Sequence, residues 1–543
     1  MIQVGSNSHT RQPEGLTHPR ESNTVRPLAL LLVISVIIRA FLASWVELGT
    51  DEAYYWTFAK YPDWSHFDHP GMVGWVIQLF TLNLLCDSEF FMRLASVVFM
   101  TINTWLMYRI GRELKDEATG LWSALLYTAS IYAFIITGIF ILPDTPLSLF
   151  WILSFWMLVK YVRQHHPKHL LLAGIFIGLG ILSKYTAAFL WLGYLVYVLC
   201  FDRKQFRSPW LYLALFLSVL CCLPIVVWNL QNDFVSFRFH GGRVGLFGPL
   251  TFGNFGKEFI GEFLYNNPVN VVVAIIAIVA AFRKKLSLDL GIQRLILLTA
   301  LPMIGLFLLF SFTHPTLPHW SGPAYVLLIP LSAVWLSSLE SRKAKRIVTT
   351  AMCLLVITLV LGVAEIKTGF LPLDHHTEST ELGHDDVTLD LYGWRQAGEK
   401  FAEVHAQEIA KGNMLPDDPI IGNKWFPTAS LHYYLARPLH LNVLGYGLLD
   451  DIHKYLWINE SVGGFEKGKC YWYLADSHFF MDPIDIYKYS NFWEIRPIAT
   501  LPIERNGKVV RNIFVYECRY LAFGPPTLND FKENKSTNKQ INK

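Results

Sequence analysis

The sequence predicts a polytopic α-helical membrane protein with about 11–13 transmembrane helices and a C-terminal mixed α/β domain outside the cytoplasm. Of the 543 residues, 52% are hydrophobic and only 16% are charged, which departs from the composition of soluble domains. Long apolar runs fill residues 27–366, and the composition turns polar beyond them. The net charge is only +3, and the basic residues are dispersed between apolar runs, which argues against nucleic acid as a partner.

The spans follow from the length of each apolar run. A membrane-spanning helix needs about 20 apolar residues, because the hydrocarbon core is about 30 Å thick and a helix rises about 1.5 Å per residue. About eleven runs fit or approach this length, near 27–47, 89–110, 119–140, 143–162, 169–184, 186–201, 209–229, 266–283, 292–312, 322–340 and 345–365. The stretch 71–86 is too short to cross, and we predict an interfacial or re-entrant segment there.

The basic residues indicate the orientation of these spans. Every loop after an even-numbered span is basic, as at Arg283, Lys284 and Lys285 after the eighth. The positive-inside rule places these loops and the N-terminal tail, residues 1–26, in the cytoplasm. The loops 48–88 and 230–265 and the whole segment after the last span then lie on the opposite face.

The polar segment 367–525 is predicted to form a soluble α/β domain. Extended runs at 419–421, 470–474 and 509–518 indicate strands, and helical periodicity marks 392–410. Asn506-Gly507, between the last two extended runs, predicts a hairpin with a type I′ turn. Residues 526–543 are rich in Lys and Asn, which predicts a disordered tail.

The first external loop begins with acidic and aromatic residues, Thr50-Asp51-Glu52 followed by Ala53, Tyr54, Tyr55 and Trp56. If Thr50 caps a short helix, both carboxylates lie at its positive end, which favours their ionised form. An ionised carboxylate at this place is a candidate general base. The structural alternative is a helix cap followed by an interfacial aromatic belt.

Ionisable residues recur at the same membrane level in other loops. Asp144 lies where the fourth span begins, and Lys184 closes the fifth. A charge at the centre of a spanning helix costs about 2.5–3.5 kcal/mol on insertion scales, so such a cluster indicates a shared polar cavity. The alternatives are a helix cap for Asp144 and a lysine that reaches the head groups for Lys184.

Two further segments carry candidate ligands. Residues 63–70 contain Asp68, His69 and a second Asp and His, a set that suits Mg²⁺, Mn²⁺ or Zn²⁺; the alternative is a turn whose side chains satisfy its own backbone. The long loop contains Arg238, His240 and Arg243 beside paired glycines, which suits a phosphate or pyrophosphate. Binding of an anionic lipid head group without chemistry remains open for these arginines.

With these motifs, the chain resembles the bacterial branch of the dolichyl-phosphate-mannose protein mannosyltransferase family, glycosyltransferase family 39, which also includes the aminoarabinose transferases of lipid A. The most specific segments are 51–56 (Asp-Glu-Ala-Tyr-Tyr-Trp) and 67–70 (Phe-Asp-His-Pro). The resemblance implies the membrane glycosyltransferase fold called GT-C and sugar transfer from a polyprenyl monophosphate. His69 stands where the lipid A transferases have a lysine, which argues against aminoarabinose as the sugar.

The resemblance also implies roles for individual residues. Asp51 is expected as the main catalytic carboxylate and Asp144 as a second acid near the acceptor. The expected contacts are, for the donor phosphate, Lys184, Arg238, Arg243 and His69; for the substrate, Glu52, Tyr54 and Tyr55; and for a metal ion, Asp68 and His240.

The predicted function is sugar transfer from a polyprenyl (undecaprenyl) monophosphate to lipopolysaccharide, lipid A or another cell-envelope acceptor. The reaction inverts the anomeric centre, uses an Asp base and needs no nucleotide, and the chain has no GxxxxGK loop. The protein is expected in the bacterial inner membrane, with the site and the C-terminal domain facing the periplasm. A protein O-mannosyltransferase-like enzyme is the alternative. Other classes are a lipid flippase or transporter, which would show two related halves, and an envelope scaffold, which would tolerate Asp51→Asn.

Overall fold

The computed structural model describes residues 24–243, 249–483 and 492–522. The described residues form a large helical region, which is followed by a five-stranded sheet with its own helices. The predicted fold class, a polytopic helical protein with a C-terminal α/β domain, is confirmed. The predicted disordered tail, 526–543, and nearly all of the predicted cytoplasmic tail lie outside the described residues.

The helical region runs from residue 25 to residue 368. Its helices are α1 (Val25–Trp45), α2 (Thr50–Lys60), α3 (Met72–Phe80), α4 (Glu89–Leu114), α5 (Glu117–Ala129), α6 (Asp144–Gln164), α7 (Pro167–Ser183), α8 (Ala188–Phe201), α9 (Pro209–Cys221), α10 (Leu223–Gln231), α11 (Val235–Arg243), α12 (Phe252–Tyr265), α13 (Pro268–Phe282), α14 (Leu290–Phe310), α15 (Gly322–Leu336) and α16 (Ser341–Thr368). Most apolar runs predicted to span the membrane coincide with one of these helices or with two in succession, whereas the run 119–140 is helical in α5 and continues in a short π-helix at Tyr132–Ile136.

Fewer helices than predicted reach spanning length without a break. Among the described residues, five are long and apolar enough to cross a membrane, namely α1, α4, α6, α14 and α16. Two bent pairs, α9 with α10 at 47° and α12 with α13 at 95°, raise the number to as many as seven. Proline accounts for several of the shorter helices, because α7, α9 and α13 each begin at a proline, which cannot continue a preceding helix.

The outer helices keep an apolar surface. In α1 the large side chains of Val33, Ile37 and Phe41 are exposed, and α16 exposes Val360 in the same way. Buried apolar residues of α4 to α8 and of α13 to α15 instead form one continuous core. Lipid is the environment that covers such an apolar rim, so these helices are arranged as in a membrane protein.

The segment predicted to be interfacial or re-entrant forms α3, which is only nine residues long. It crosses α2 closely at Gly74, where an added Cβ would lie 2.8 Å from the Cβ of Phe58. The two short helices therefore pack as a unit beside the spanning helices, and a larger side chain at residue 74 would separate them.

The C-terminal domain combines one mixed sheet with short helices. The strands are β1 (Ile420–Gly422), β2 (Val443–Gly445), β3 (Tyr471–Asp476), β4 (Phe492–Arg505) and β5 (Lys508–Leu521), in the order β2-β1-β3-β5-β4. The helices are α17 (Trp394–Ala410), α18 (Trp425–Leu431), α19 (Leu449–Ile452) and α20 (Tyr455–Ser461). The predicted strands and the helix at 392–410 are confirmed, whereas β2 and β4 were not among the predicted extended runs.

The predicted hairpin also forms. Strands β4 and β5 pair antiparallel and turn at Asn506-Gly507, whose φ angles are 52° and 75°. Positive φ at both central residues is the requirement of a type I′ turn, which Asn and Gly meet at low cost.

The C-terminal domain packs against the segment 47–61. The backbone N–H of Leu48 donates to the Tyr434 hydroxyl at 2.6 Å, and Glu47 accepts from the backbone N–H of Trp394 at 2.7 Å. Lys454 of the domain donates to the carbonyl oxygen of Tyr61 at 2.6 Å. These bonds place the domain on the same side of the helical region as the acidic motif at residues 51–52.

Candidate active site

The site is built around the N-terminus of α2. The backbone N–H of Gly49 donates to Glu52 Oε2 at 3.0 Å, which closes a capping interaction. The backbone N–H of Thr50 donates to Asp390 Oδ1 at 3.1 Å, and the Thr50 hydroxyl donates to the same atom. A carboxylate of the C-terminal domain therefore helps to cap the helix that carries Asp51.

Glu52 forms a buried ion pair with Arg93 of α4. Arg93 donates from Nε to Glu52 Oε1 at 2.7 Å and from Nη2 to Glu52 Oε2 at 2.5 Å. Its other N–H groups donate to the carbonyl oxygens of Val46 and Glu47, so the pair joins the end of α1 to α2 and α4. The expectation that Glu52 contacts the substrate is therefore corrected, because this carboxylate is buried and used by protein donors.

Asp51 differs from its neighbours in α2. The residues from Glu52 to Ala59 are buried, whereas Asp51 is exposed, and no hydrogen bond holds its carboxylate among the described residues. Protein nevertheless surrounds this carboxylate, although its side chain stays accessible to solvent. Burial, followed by repulsion from Asp390 and Asp68, raises the pKa of Asp51 to about 7. Burial and these charges therefore oppose the helix N-terminus, which favours the ionised carboxylate.

The 63–70 segment places Asp68 beside α2. Asp68 Oδ1 accepts from the Tyr54 hydroxyl at 2.8 Å, and Asp68 Oδ2 lies 3.0 Å from His69 Nδ1. Burial opposes ionisation, but the hydrogen bond and charge of His69 lower the pKa of Asp68 below its usual range. Asp68 is therefore an ionised anchor for Tyr54 and His69, and the Tyr55 hydroxyl lies 3.5 Å from the same imidazole.

Asp144 and Lys184 form a second buried ion pair. Lys184 Nζ donates to Asp144 Oδ2 at 2.7 Å, and the Tyr132 hydroxyl donates to Asp144 Oδ1 at 3.1 Å. His319 lies within the electrostatic reach of both charges, and burial together with Lys184 lowers the pKa of His319 to about 4. Lys184 is therefore buried and paired with Asp144, which does not fit a lysine that reaches the head groups.

Of the residues in α11 that were predicted to bind ligands, His240 contacts the 63–70 segment and Arg238 does not. His240 Nε2 lies 2.8 Å from the carbonyl oxygen of Asp68, and Ser236 donates to the carbonyl oxygen of Phe67 at 2.9 Å. Arg238 is exposed and donates to the carbonyl oxygen of Asp233, so it does not join the cluster. The side chain of Arg243 lies outside the described residues.

The three carboxylates converge on one side chain. The charges of Asp51, Asp68 and Asp144 all act on the Tyr55 hydroxyl and, together with burial, raise its pKa well above the usual value. These residues come from α2, the 63–70 segment and α6, so the structure brings together groups that are far apart in the chain. Tyr55 therefore lies at the centre of the acidic cluster.

The arrangement does not offer a ready metal site at Asp68 and His240. The Asp68 carboxylate is engaged by Tyr54 and His69, and His240 Nε2 is engaged by the Asp68 carbonyl oxygen. Within the part of the chain that the structure describes, no three ligand atoms converge here as they would around an ion. A divalent ion at this place stays a prediction, and no catalytic step is derived through it.

Sequence reasoning missed Asp390, His319 and Arg93. Arg93 had a usable signal, since a charge inside an apolar run is costly and needs a partner. His319 and Asp390 have no local signal, because the residues they act on, Lys184 and Thr50, are far away in the sequence.

Comparison with known proteins supports the family assignment. Residues 68–228, which include Asp68, Asp144 and Lys184, match the family model described as dolichyl-phosphate-mannose-protein mannosyltransferase. The match to this family model covers less than a third of the chain. The lipid A galacturonosyltransferase RgtD of Rhizobium johnstonii is 23% identical over 392 residues, which cover 72% of this chain and 78% of RgtD.

Solved structures confirm the GT-C-like fold of this chain. The crystal structure of ArnT from Cupriavidus metallidurans bound to undecaprenyl phosphate matches with a TM-score of 0.65, at 14% identity, over 91% of this chain and 98% of ArnT. The apo structure of the same protein matches with a TM-score of 0.63. At this identity the match concerns the fold, and it extends through the C-terminal domain because nearly all of ArnT is covered.

Proposed function

We propose that this glycosyltransferase moves a sugar from a polyprenyl (undecaprenyl) monophosphate to a lipopolysaccharide or lipid A acceptor, with Asp51 as the general base. The observation that carries the proposal is the state of Asp51: an accessible carboxylate, unpaired among the described residues, whose pKa is raised to about 7. A base whose pKa lies near the working pH is the most effective. RgtD acts on lipid A by name, and ArnT binds undecaprenyl phosphate, which supports this choice of donor and acceptor.

The reaction is a single in-line displacement at the anomeric carbon. An acceptor hydroxyl gives its proton to the Asp51 carboxylate while its oxygen forms the new glycosidic bond. The bond between the anomeric carbon and the phosphate oxygen breaks on the opposite face, and the electron pair leaves with the polyprenyl phosphate. The configuration inverts, and the lipid-phosphate bond supplies the energy without a nucleotide.

Lys184 is the group we assign to the leaving phosphate. Its ammonium has three N–H donors, and only one is used by Asp144. Asp144 fixes the position of the ammonium, and the burial of the pair strengthens its interaction with the developing phosphate charge. His69 is a second candidate contact because it lies beside Asp68 at the same cluster. Arg243 remains a proposed contact, whereas the exposed position of Arg238 does not support such a role.

A protein acceptor is the alternative, because the matching family model is named for protein mannosyltransferases. The chemistry at the anomeric carbon would be the same for both acceptors. The test must therefore vary the acceptor as well as the catalytic residue. The proposed periplasmic location follows from the positive-inside rule and from the domain and Asp51 lying on one side of the helical region.

The decisive experiment measures label transfer by purified protein in detergent. Radiolabelled polyprenyl-phosphate sugars are supplied with envelope lipid extract or with Ser/Thr peptides, and a galacturonosyl donor is tested first because of the similarity to RgtD. We expect transfer to lipid, and a loss of about two to four orders of magnitude in Asp51→Asn. Asp417→Asn, which removes the same charge from an exposed surface of the C-terminal domain, is the matched control.

Each outcome bears on a different part of the proposal. Equal transfer by wild type and Asp51→Asn would remove Asp51 as the base. Transfer to peptide alone would replace the lipid acceptor by the protein acceptor. Movement of the donor lipid across a vesicle membrane without sugar transfer would favour a flippase.

A further inference from the structure

A second cluster of ligating side chains lies outside the proposed active site. It belongs to the segment between the end of α16 at Thr368 and the short 3-10 helix Val387–Leu391. His376, His384 and Asp385 each offer one ligand atom, and these three atoms lie within 4.8 Å of one another. All three side chains are at least partly accessible, so an ion from solution can reach them.

The carboxylate of Asp374 brings the two ends of this segment together. Asp374 Oδ2 accepts from the backbone N–H of Gly383 at 2.6 Å, and Asp374 Oδ1 accepts from the backbone N–H of His376 at 3.3 Å. Gly383 has a φ of +86°, and an added Cβ would lie 2.6 Å from Leu389 Cδ1, so the turn requires glycine. The segment is therefore folded so that His376 and His384 approach each other, with ring centroids 5.3 Å apart.

The same aspartate also orients one imidazole. Asp374 Oδ1 lies 2.8 Å from His376 Nδ1. When Nδ1 carries the proton and donates to this carboxylate, the lone pair of Nε2 is free to bind an ion. A carboxylate behind a ligating histidine is the usual support of a metal-binding imidazole, because it sets the tautomer and raises the basicity.

Two imidazoles and one carboxylate select the type of ion. Imidazole suits Zn²⁺ and neighbouring transition metals, whereas Mg²⁺ and Ca²⁺ prefer oxygen ligands alone. Metal–nitrogen bonds of about 2.0–2.1 Å require the ligand atoms to move closer by roughly 1 Å, which exposed side chains can do by rotation. Asp385 already lies between the two imidazoles, 3.2 Å from His384 Nδ1 and 3.7 Å from His376 Nδ1.

We propose that His376, His384 and Asp385 bind one Zn²⁺ ion, with water completing the coordination, and that the ion stabilises the segment joining α16 to the C-terminal domain. The segment contacts the sheet next to the cluster, where Asn512 donates to the carbonyl oxygen of Ser379 at 3.1 Å. It continues into Asp386, which pairs with the buried Arg505. The ion would therefore fix the linker at a point between the last spanning helix and the 3-10 helix that presents Asp390.

The test uses full-length protein in detergent, stripped of metal by chelation and titrated with ZnCl₂ by calorimetry. We expect the wild type to bind one more equivalent of Zn²⁺ than His376→Ala/His384→Ala, whatever other sites exist. Asp374→Asn should keep the site but bind about 10- to 100-fold more weakly. His375→Ala, an adjacent exposed histidine outside the cluster, is the matched control.

Two further measurements distinguish a specific metal site from unspecific Zn²⁺ binding. Co²⁺ should give a visible absorption band with the wild type and with His375→Ala, but not with the double variant. Saturating Zn²⁺ should raise the melting temperature of the same two proteins only, because an ion that binds the folded state stabilises it. Equal Zn²⁺ stoichiometry in the wild type and the double variant, or an equal loss in His375→Ala, would overturn the proposal.

Discussion

Replacing Asp390 by Asn should move the acid limb of the activity profile to lower pH. Asp390 Oδ1 accepts from the backbone N–H of Thr50, the residue before Asp51. Among the neighbouring charges, that of Asp390 raises the pKa of Asp51 most. Asn keeps an acceptor oxygen for Thr50 and removes the charge. Because the base must be ionised, a lower pKa of Asp51 leaves it active at lower pH.

The size of the shift can be calculated for an assumed separation of the two carboxylates. Two unit charges taken to be about 7 Å apart repel by about 1.2 kcal/mol at an assumed effective dielectric constant of about 40, which corresponds to roughly one pKa unit. The high dielectric constant is appropriate because solvent reaches Asp51. Starting from a pKa of about 7, the variant should contain about five times more ionised Asp51 at pH 6. Its maximal rate should fall slightly, since a weaker base accepts a proton less readily.

The assay is the transfer of labelled sugar at subsaturating donor between pH 5 and 9, in a buffer series of constant ionic strength. Asp417→Asn makes the same change of net charge on an exposed surface of the domain and should leave the midpoint unchanged. An unchanged midpoint in Asp390→Asn, or a movement to higher pH, would refute the electrostatic role of Asp390. An equal shift in both variants would attribute the effect to net charge alone.

The remaining predictions concern the two ion pairs and Arg238. Glu52→Gln should destabilise the fold by about 3–5 kcal/mol, because it leaves the buried Arg93 without its counter-charge; a melting temperature equal to that of the wild type would contradict this. Lys184→Met should reduce kcat/KM by at least 100-fold with labelled donor, and a defect confined to acceptor KM would argue against a role at the phosphate. Arg238→Ala should change the rate of sugar transfer by no more than about twofold, because Arg238 is exposed and does not contact the site. A large loss of activity would instead indicate that Arg238 binds the donor.

The acidic motif shows what residue patterns can and cannot predict about the candidate site. Asp51 and Glu52 are adjacent, and both appear from the sequence as candidate catalytic carboxylates. In α2, however, successive side chains point about 100° apart, so the Asp51 carboxylate is accessible to solvent and the Glu52 carboxylate faces Arg93. The sequence cannot assign these two roles, because the partner lies 41 positions away in α4.

The cations illustrate the same limit. Arg238 and His240 are two positions apart in α11, which places them on different faces of the helix. Packing of Ser236 and His240 against the 63–70 segment then leaves Arg238 exposed. Lys184 and Asp144 were both identified as candidates, but their ion pair depends on the packing of α6 against α7.

Hydropathy, run length and turn residues act locally, so the membrane character, the apolar helices and the change to an α/β domain could all be predicted from residue patterns. Which ionisable residues lie near one another, and which of them form ion pairs, depends instead on how distant segments pack. Their energies depend on distances between residues up to 340 positions apart, as between Thr50 and Asp390. The protonation of Asp51 therefore belongs to the packed molecule, since burial and the charges of Asp390 and Asp68 raise its pKa together.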